Sequence, residues 1–412
     1  MTGRDPTAGR EQRRPDGRLI VAVGAAVAVR VALALAPPAG GEDLRLPDSV
    51  SYDTAARSLA DRGELWFGVI QRAKREPGYP LFMAGCYTVF GRHVTAVRVV
   101  QAVLCGLLCL PVYGLASRLG GRRSGLVAAW IAALYPNLAV SSVLILTEGL
   151  FTLGLWWALW LLGPRRGGWG AAVAPAASAL CWGGLAALRS ETLVLFVVVA
   201  VVALIASRNR RAVVPTVAAG LAGIILASGL WAARNRRVVG HPVITTLNVG
   251  ETLYDGFWSG ADGGSDKRFM RDILATDAWQ AMSRAGDEVG QNRWLKEQAL
   301  AWARCHPGRA VRLAWGKVWR TWRPMPSGRS GIGLVGRVVM AVAFLAVALS
   351  GVIGCVRARG RWRTWIVWFV PVALVTATHL VIVGSIRYRI PVMPFLVIMA
   401  GAAVRSRRMP GD

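Results

Sequence analysis

Residues 192–211 read TLVLFVVVAVVALIASRNRR. An unbroken apolar run ends on Arg208, Arg210 and Arg211. A run with no polar face is a buried or membrane helix, and a basic flank marks the cytoplasmic end of a span. The pattern recurs in both directions. Apolar runs lie at 19–36, 96–117, 124–141, 146–162, 171–188, 192–206, 212–232, 332–354, 364–384 and 390–404. Of the 412 residues 54% are hydrophobic and 17% are charged, against about 25% charged in ordinary soluble domains. A span takes about 20 apolar residues, so this content supplies about ten. A soluble globular enzyme, a disordered chain and a disulfide scaffold are excluded.

The chain carries 49 Lys and Arg against 22 Asp and Glu, a net charge of +27. Such a balance in a soluble protein would suggest nucleic acid. Here the cations fall in short clusters between apolar runs, so no nucleic-acid partner is expected. The clusters Arg118/Arg122/Arg123, Arg165/Arg166, Arg208/Arg210/Arg211, Arg357/Arg359/Arg361/Arg363 and Arg405/Arg407/Arg408 all fall on the side of the N-terminus. Apart from Asp5, Glu11, Asp16 and Asp412 in the tails, every carboxylate falls on the other side. That segregation predicts an all-α polytopic membrane protein of about ten transmembrane helices with both termini cytoplasmic. The six cysteines form no extracytoplasmic framework, so no structural disulfide is expected.

The chain then divides into a cytoplasmic tail at 1–18, a transmembrane region at 19–232 and a large extracytoplasmic segment at 233–331. C-terminal spans at 332–404 and a tail at 405–412 complete it. The first extracytoplasmic loop, 37–93, predicts amphipathic helices. In one of them Asp53, Arg57, Asp61 and Glu64 form a polar stripe opposite Ala55, Ala56, Leu59 and Ala60. Around 309–323, Val311, Trp315, Val318, Trp319 and Trp322 share one helical face. Arg309, Arg312, Lys317, Arg320 and Arg323 lie mostly on the other. That pattern predicts an interfacial helix in contact with membrane lipids.

Charge inside or at the edge of a membrane is costly and is functional by default. Glu148, Arg189, Glu191, Arg234, Arg387 and Arg389 are such residues, although charges at helix ends can also simply reach water. In the first loop, Asp48 could take a proton from an acceptor hydroxyl or amine. Asp48 or Ser49 could equally cap the helix that follows, and spacing alone does not separate the two. Lys74 and Arg75 beside the rigid Pro77-Gly78-Tyr79-Pro80 turn could grip a phosphate, or form an ordinary basic loop.

Several blocks in order resemble the bacterial membrane glycosyltransferases of the dolichyl- or polyprenyl-phosphate-mannose protein mannosyltransferase type, relatives of the lipid A aminoarabinose transferase. They are Asp48-Ser-Val-Ser-Tyr52, Arg75-Glu-Pro-Gly-Tyr-Pro-Leu-Phe82, Leu146-Thr-Glu148-Gly-Leu-Phe151, Leu188-Arg189-Ser-Glu191, Trp231-Ala-Ala-Arg234-Asn235 and Ser385-Ile-Arg387-Tyr388-Arg389-Ile-Pro391. Each is weak alone; six in register with the spans are specific. The resemblance implies a GT-C fold and inverting transfer of a sugar from a polyprenyl-phosphate donor, at a site facing outside a bacterial plasma membrane. It implies Asp48 as the catalytic carboxylate with Glu148 in support, and Arg75, Arg234, Arg387 and Arg389 as donor-phosphate cations. Tyr52, Tyr79, Arg189, Glu191 and Tyr388 are further site candidates. The acceptor would be a lipid, a protein or an envelope glycan. The family often has Asp-Glu where this chain has Asp48-Ser49. Its metal, found in some members, rests on a carboxylate near the basic-Pro block, which leaves a divalent metal on Glu76 or Glu148 open.

A transporter or lipid flippase is the alternative. It would want charge or broken helices near mid-membrane and internal symmetry. Here the charges gather at the extracytoplasmic ends of the runs, and no fixed-period repeat is present. The two readings separate on whether Asp48, Glu148 and Arg387 share one site.

Overall fold

In a computed structural model, residues 17–36, 46–68, 70–163, 169–327 and 332–404 are described. Residues 1–16 of the expected tail 1–18, the expected tail 405–412 and the Arg165/Arg166 and Arg405/Arg407/Arg408 clusters lie outside them. The described residues form helices α1 (Gly17–Leu35), α2 (Pro47–Arg62), α3 (Gly78–Phe90), α4 (Val94–Gly106), α5 (Cys109–Leu134), α6 (Pro136–Ser141), α7 (Glu148–Leu161), α8 (Trp169–Leu188) and α9 (Thr192–Ala206). They continue with α10 (Arg210–Val238), α11 (Val249–Gly256), α12 (Phe269–Leu274), α13 (Asp277–Arg284), α14 (Glu288–Cys305), α15 (Pro307–Trp322), α16 (Leu334–Arg357), α17 (Trp362–Val381) and α18 (Met393–Ala403), with a 3₁₀ turn at Ile386–Val392 before α18. No strand occurs among them.

The β-branched runs are helical because a helix satisfies its own backbone where water is absent. That requirement outweighs strand propensity. Each of the ten apolar runs is mainly helical, but the count of ten spans is not established. Among the described residues six helical stretches are long and apolar enough to cross a membrane: Gly17–Leu35, Val94–Leu134, Arg210–Val238, Leu334–Arg357, Arg359–Val381 and Ile386–Ala403. The Val94–Leu134 stretch holds two of the expected spans, because Gly121, with φ of 79°, turns the chain within α5. Only glycine takes that conformation readily. Helix α7 has 14 residues, about 21 Å at 1.5 Å per residue, short of a hydrocarbon core of about 30 Å.

The bundle is assembled pairwise: α1 on α4 and α5, α8 on α10, α5 and α16 on α18, α9 on α17. Within it Arg30 is buried, and its Nη atoms donate to the carbonyls of Ala26, Ala132 and Ala133. Helices α2 and α3 pack on each other at one end, and α11–α15 fill the 233–331 segment.

Two amphipathic expectations need correction. Asp53 is buried and not on an exposed stripe: Tyr87 Oη donates to its Oδ1 at 2.5 Å and Arg57 Nε pairs with its Oδ2 at 2.9 Å. In α15, Val311, Trp315 and Trp319 are exposed as expected, but Lys317 points into the protein. Its Nζ donates to Val381 O at 2.7 Å and sits 3.5 Å above the Phe257 ring. The buried ammonium uses a carbonyl and a π face in place of water.

Candidate active site

Asp48 stands in the first turn of α2, where an acidic side chain suits the positive end of the helix dipole. It is not the cap. Leu46 holds that position and makes no side-chain capping bond. Instead the two carboxylate oxygens face two guanidinium groups. Arg75 Nη2 donates to Oδ1 at 2.5 Å and Arg387 Nη2 to Oδ2 at 2.5 Å. Burial alone would raise the Asp48 carboxyl, but these two cations outweigh it and hold it well below the usual carboxylate range.

Arg387 enters on the 3₁₀ turn and also donates through Nε to Glu148 Oε1 at 2.7 Å. Glu148 opens α7 and is buried. Arg189, in the turn between α8 and α9, stands 3.5 Å from the same oxygen and pairs through Nε with Glu191 Oε1 at 3.0 Å. Asp48, Arg75, Glu148, Arg189, Glu191 and Arg387, drawn from five separate stretches of chain, therefore form one connected charge cluster. Tyr52 and Tyr79 lie under it, with ring centroids 4.9 Å apart, and the Arg75 guanidinium lies 5.1 Å from the Tyr52 ring. Tyr388 stacks on His379 at 4.6 Å, and the Arg387 guanidinium lies 5.1 Å from the Tyr388 ring centre. Glu148 Oε2 and Arg75 Nε are buried without hydrogen-bond partners, so the cluster keeps capacity for a ligand.

Two candidate cations stand elsewhere. Arg389 is fully buried, donates through Nη1 to Arg323 O at 2.7 Å, and lies 3.8 Å from the Phe344 ring. It ties the end of α15 to the 3₁₀ turn. Arg387 and Arg389 alternate on that turn, so their side chains diverge. Arg234 donates to the carbonyls of Arg72 at 2.6 Å and Leu65 at 2.8 Å. It lines a cavity of about 570 Å³ with Leu59, Trp66, Leu81, Leu230 and Trp231.

Glu76 lies near Arg189 and is held by backbone. Its Oε1 accepts from the Ser190 backbone N–H at 2.6 Å, and burial pushes its carboxyl above the usual range. The contact clips the basic-Pro loop to the turn that carries Arg189. It is made possible by Gly78, where a Cβ would meet Ala187 O at 2.6 Å. Among the described residues no three His, Cys, Asp or Glu side chains converge to hold a metal. Guanidinium groups stand beside Glu148 Oε1, and the Ser190 N–H holds Glu76 Oε1. Gln101, whose side chain reaches Tyr79, is not among the residues expected from the sequence, because the cost of burying charge singles out ionisable groups alone. Its signal is an amide inside the mainly apolar run 96–117, which also holds Arg98.

Residues 74–231 match the model of the dolichyl-phosphate-mannose-protein mannosyltransferase family. No curated protein matches the chain in sequence. Among solved structures, the Archaeoglobus fulgidus oligosaccharyltransferase in its apo form is 11% identical with a TM-score of 0.56, over 93% of this chain and 50% of that one. The oligosaccharyltransferase AglB from the same organism, in complex with an inhibitory peptide and a dolichol-phosphate, gives 11% and 0.51 over 94% and 49%. ArnT from Cupriavidus metallidurans, bound to undecaprenyl phosphate, is 16% identical with a TM-score of 0.43, over 94% of this chain and 78% of that one. The chain thus spans about half the length of the oligosaccharyltransferases it resembles. Residues 74–231 are thus similar to the dolichyl-phosphate-mannose-protein mannosyltransferase family, and the fold is like that of the archaeal oligosaccharyltransferase.

Proposed function

We propose that the chain is a membrane glycosyltransferase that moves a sugar, with inversion, from a polyprenyl-phosphate donor to an acceptor on the outer face of a bacterial plasma membrane. The observation that carries this reading is Arg387 bridging Asp48 and Glu148, three residues from remote parts of the sequence, at one end of the bundle. A transporter reading would need such a cluster near mid-membrane.

The acceptor oxygen or nitrogen attacks the anomeric carbon from the face opposite the phosphate. The bond from that carbon to the phosphate oxygen breaks, and polyprenyl phosphate leaves with its electrons. Arg387 and Arg75 stabilise the charge that develops on it, as fixed cations in a water-poor site do. Asp48 takes the acceptor's proton. While both guanidinium groups hold it, Asp48 is a weak base; a donor phosphate that draws Arg75 or Arg387 toward itself makes it a stronger one. The cavity at Arg234, whose wall includes the exposed Leu230 of α10, admits the polyprenyl chain from the lipid. The acceptor is a lipid, a protein or an envelope glycan.

The reading is tested by lipid-linked sugar analysis of a deletion strain, complemented with wild type or with Arg387→Ala. Accumulation of a polyprenyl-phosphate sugar in the deletion and in the Arg387→Ala strain supports it. Donor levels unchanged by the deletion overturn it.

A further inference from the structure

The polypeptide leading into Glu148, residues 142–147, is not α-helical although all of its side chains but Leu144 are buried. Thr147 O accepts from the Phe151 N–H and Leu144 O from the Leu146 N–H, and the remaining carbonyls are costly to bury unless other groups donate to them. Two buried side chains do. Gln101 Nε2 donates to Ser142 O at 3.0 Å and to Leu144 O at 2.8 Å. Ser49 Oγ, one residue after Asp48, donates to Ile145 O at 2.9 Å.

The same Gln101 amide faces the other half of the site. Its Oε1 accepts from Tyr79 Oη at 2.8 Å. Only this orientation of the amide works, because the two carbonyls can only accept and the amide nitrogen must point to them. Tyr79 meets the Tyr52 ring edge-on, and Tyr52 lies beneath Arg75. On α4, Val97, Gln101 and Cys105 form one buried stripe at helical spacing, which fixes where the amide points.

We propose that Gln101, seconded by Ser49, is a positioning residue of the transfer site. It holds the stretch of backbone that presents Glu148 in register with the aromatic pair that supports Arg75. Arg387 is thereby aimed at the reacting phosphate, since Glu148 Oε1 holds its Nε. The inference rests on the proposed role of Glu148. It accounts for Ser49 at the position where the resembling family often has a second acid: in this chain that residue is a clamp on the Glu148 segment.

The test is a double-mutant cycle on purified protein with a polyprenyl-phosphate sugar, combining Gln101→Leu with Glu148→Gln. Gln101→Leu is expected to lower kcat about tenfold or more and to change donor KM less than about threefold, since it disturbs an interaction made in the transition state. In the Glu148→Gln background the same replacement is expected to change kcat less than about threefold, because coupled residues are not additive. A role limited to folding would give equal factors in both backgrounds, and that result overturns the inference while leaving the site reading intact. Wild-type kcat for Glu148→Gln alone overturns both. Ser49→Ala, which removes one hydroxyl, runs the same cycle where Gln101→Leu fails to insert. It is expected to show the same non-additivity with a smaller effect, and equal factors in that cycle overturn the inference too.

Discussion

Arg387 donates to Asp48 Oδ2 at 2.5 Å and to Glu148 Oε1 at 2.7 Å through different nitrogens of one guanidinium group. A planar fork can serve two carboxylates at fixed angles, which an ammonium cannot. The proposed phosphate cation and the proposed base therefore begin the cycle paired to each other, and the donor must compete for that cation.

Asp48→Asn separates base from cap. Asparagine caps a helix about as well as aspartate, and the residue is not the cap here, so any loss of thermal stability should come from the unpaired Arg75 and Arg387 guanidinium groups and not from capping. Sugar transfer should fall roughly 10²–10⁴-fold with loss of the proton acceptor. Polyprenyl phosphate binding should persist and tighten, because the amide no longer competes for Arg75 and Arg387. Titration of the detergent-solubilised variant with polyprenyl phosphate measures this. Wild-type transfer would remove Asp48 from the chemistry.

Arg387 and Arg389 should behave differently although two positions separate them. Arg387→Ala should lower turnover roughly 10²-fold or more with a folded protein, from loss of about 2–4 kcal/mol of transition-state stabilisation. Arg387→Lys should rescue it poorly. Arg389→Ala should instead lower stability by about 1–3 kcal/mol, since the Arg323 carbonyl loses its buried donor. Thermal melts alongside turnover distinguish the two, and Arg389→Ala with wild-type stability and weakened donor binding would return Arg389 to the phosphate.

Orientation is open to labelling. With native cysteines replaced, cysteines at Ala60 and Ser265 should react with a membrane-impermeant maleimide in intact cells stripped of their outer barrier. Reaction at either site only after the inner membrane is opened would reverse the proposed topology.

Helical membrane segments are legible in the sequence because burial in lipid leaves the backbone no other choice, and the apolar runs mark where that applies. The cluster is legible because charge is costly where it stands, so Glu148, Arg189 and Arg387 announce themselves. Arg389 and Arg30 are costly too but direct part of their donors to backbone carbonyls, a use that a sequence does not distinguish from ligand binding. The burial of Asp53 is hidden because it depends on Tyr87, thirty-four positions away. The start of α7 is hidden because the unwound stretch before it is as apolar as a helix and is held by the amide of a different helix.

Lys317 gives a prediction for stability against pH. Burial pulls its ammonium down to about 8, against the opposing attraction of Asp255. In the unfolded chain a lysine titrates near 10.4. Between these values the unfolded state binds more protons than the native one, so stability rises with pH across that window and levels off above it. The gain over the whole window is at most about 3 kcal/mol, since each tenfold difference in proton affinity corresponds to roughly 1.4 kcal/mol. Lys317→Met keeps most of the buried volume and removes the titration. The wild-type melting temperature should therefore climb relative to Lys317→Met from pH 8 toward pH 10. Parallel curves for the two proteins would show that Lys317 is as readily charged when folded as when unfolded, and that Val381 O and the Phe257 ring compensate its burial in full.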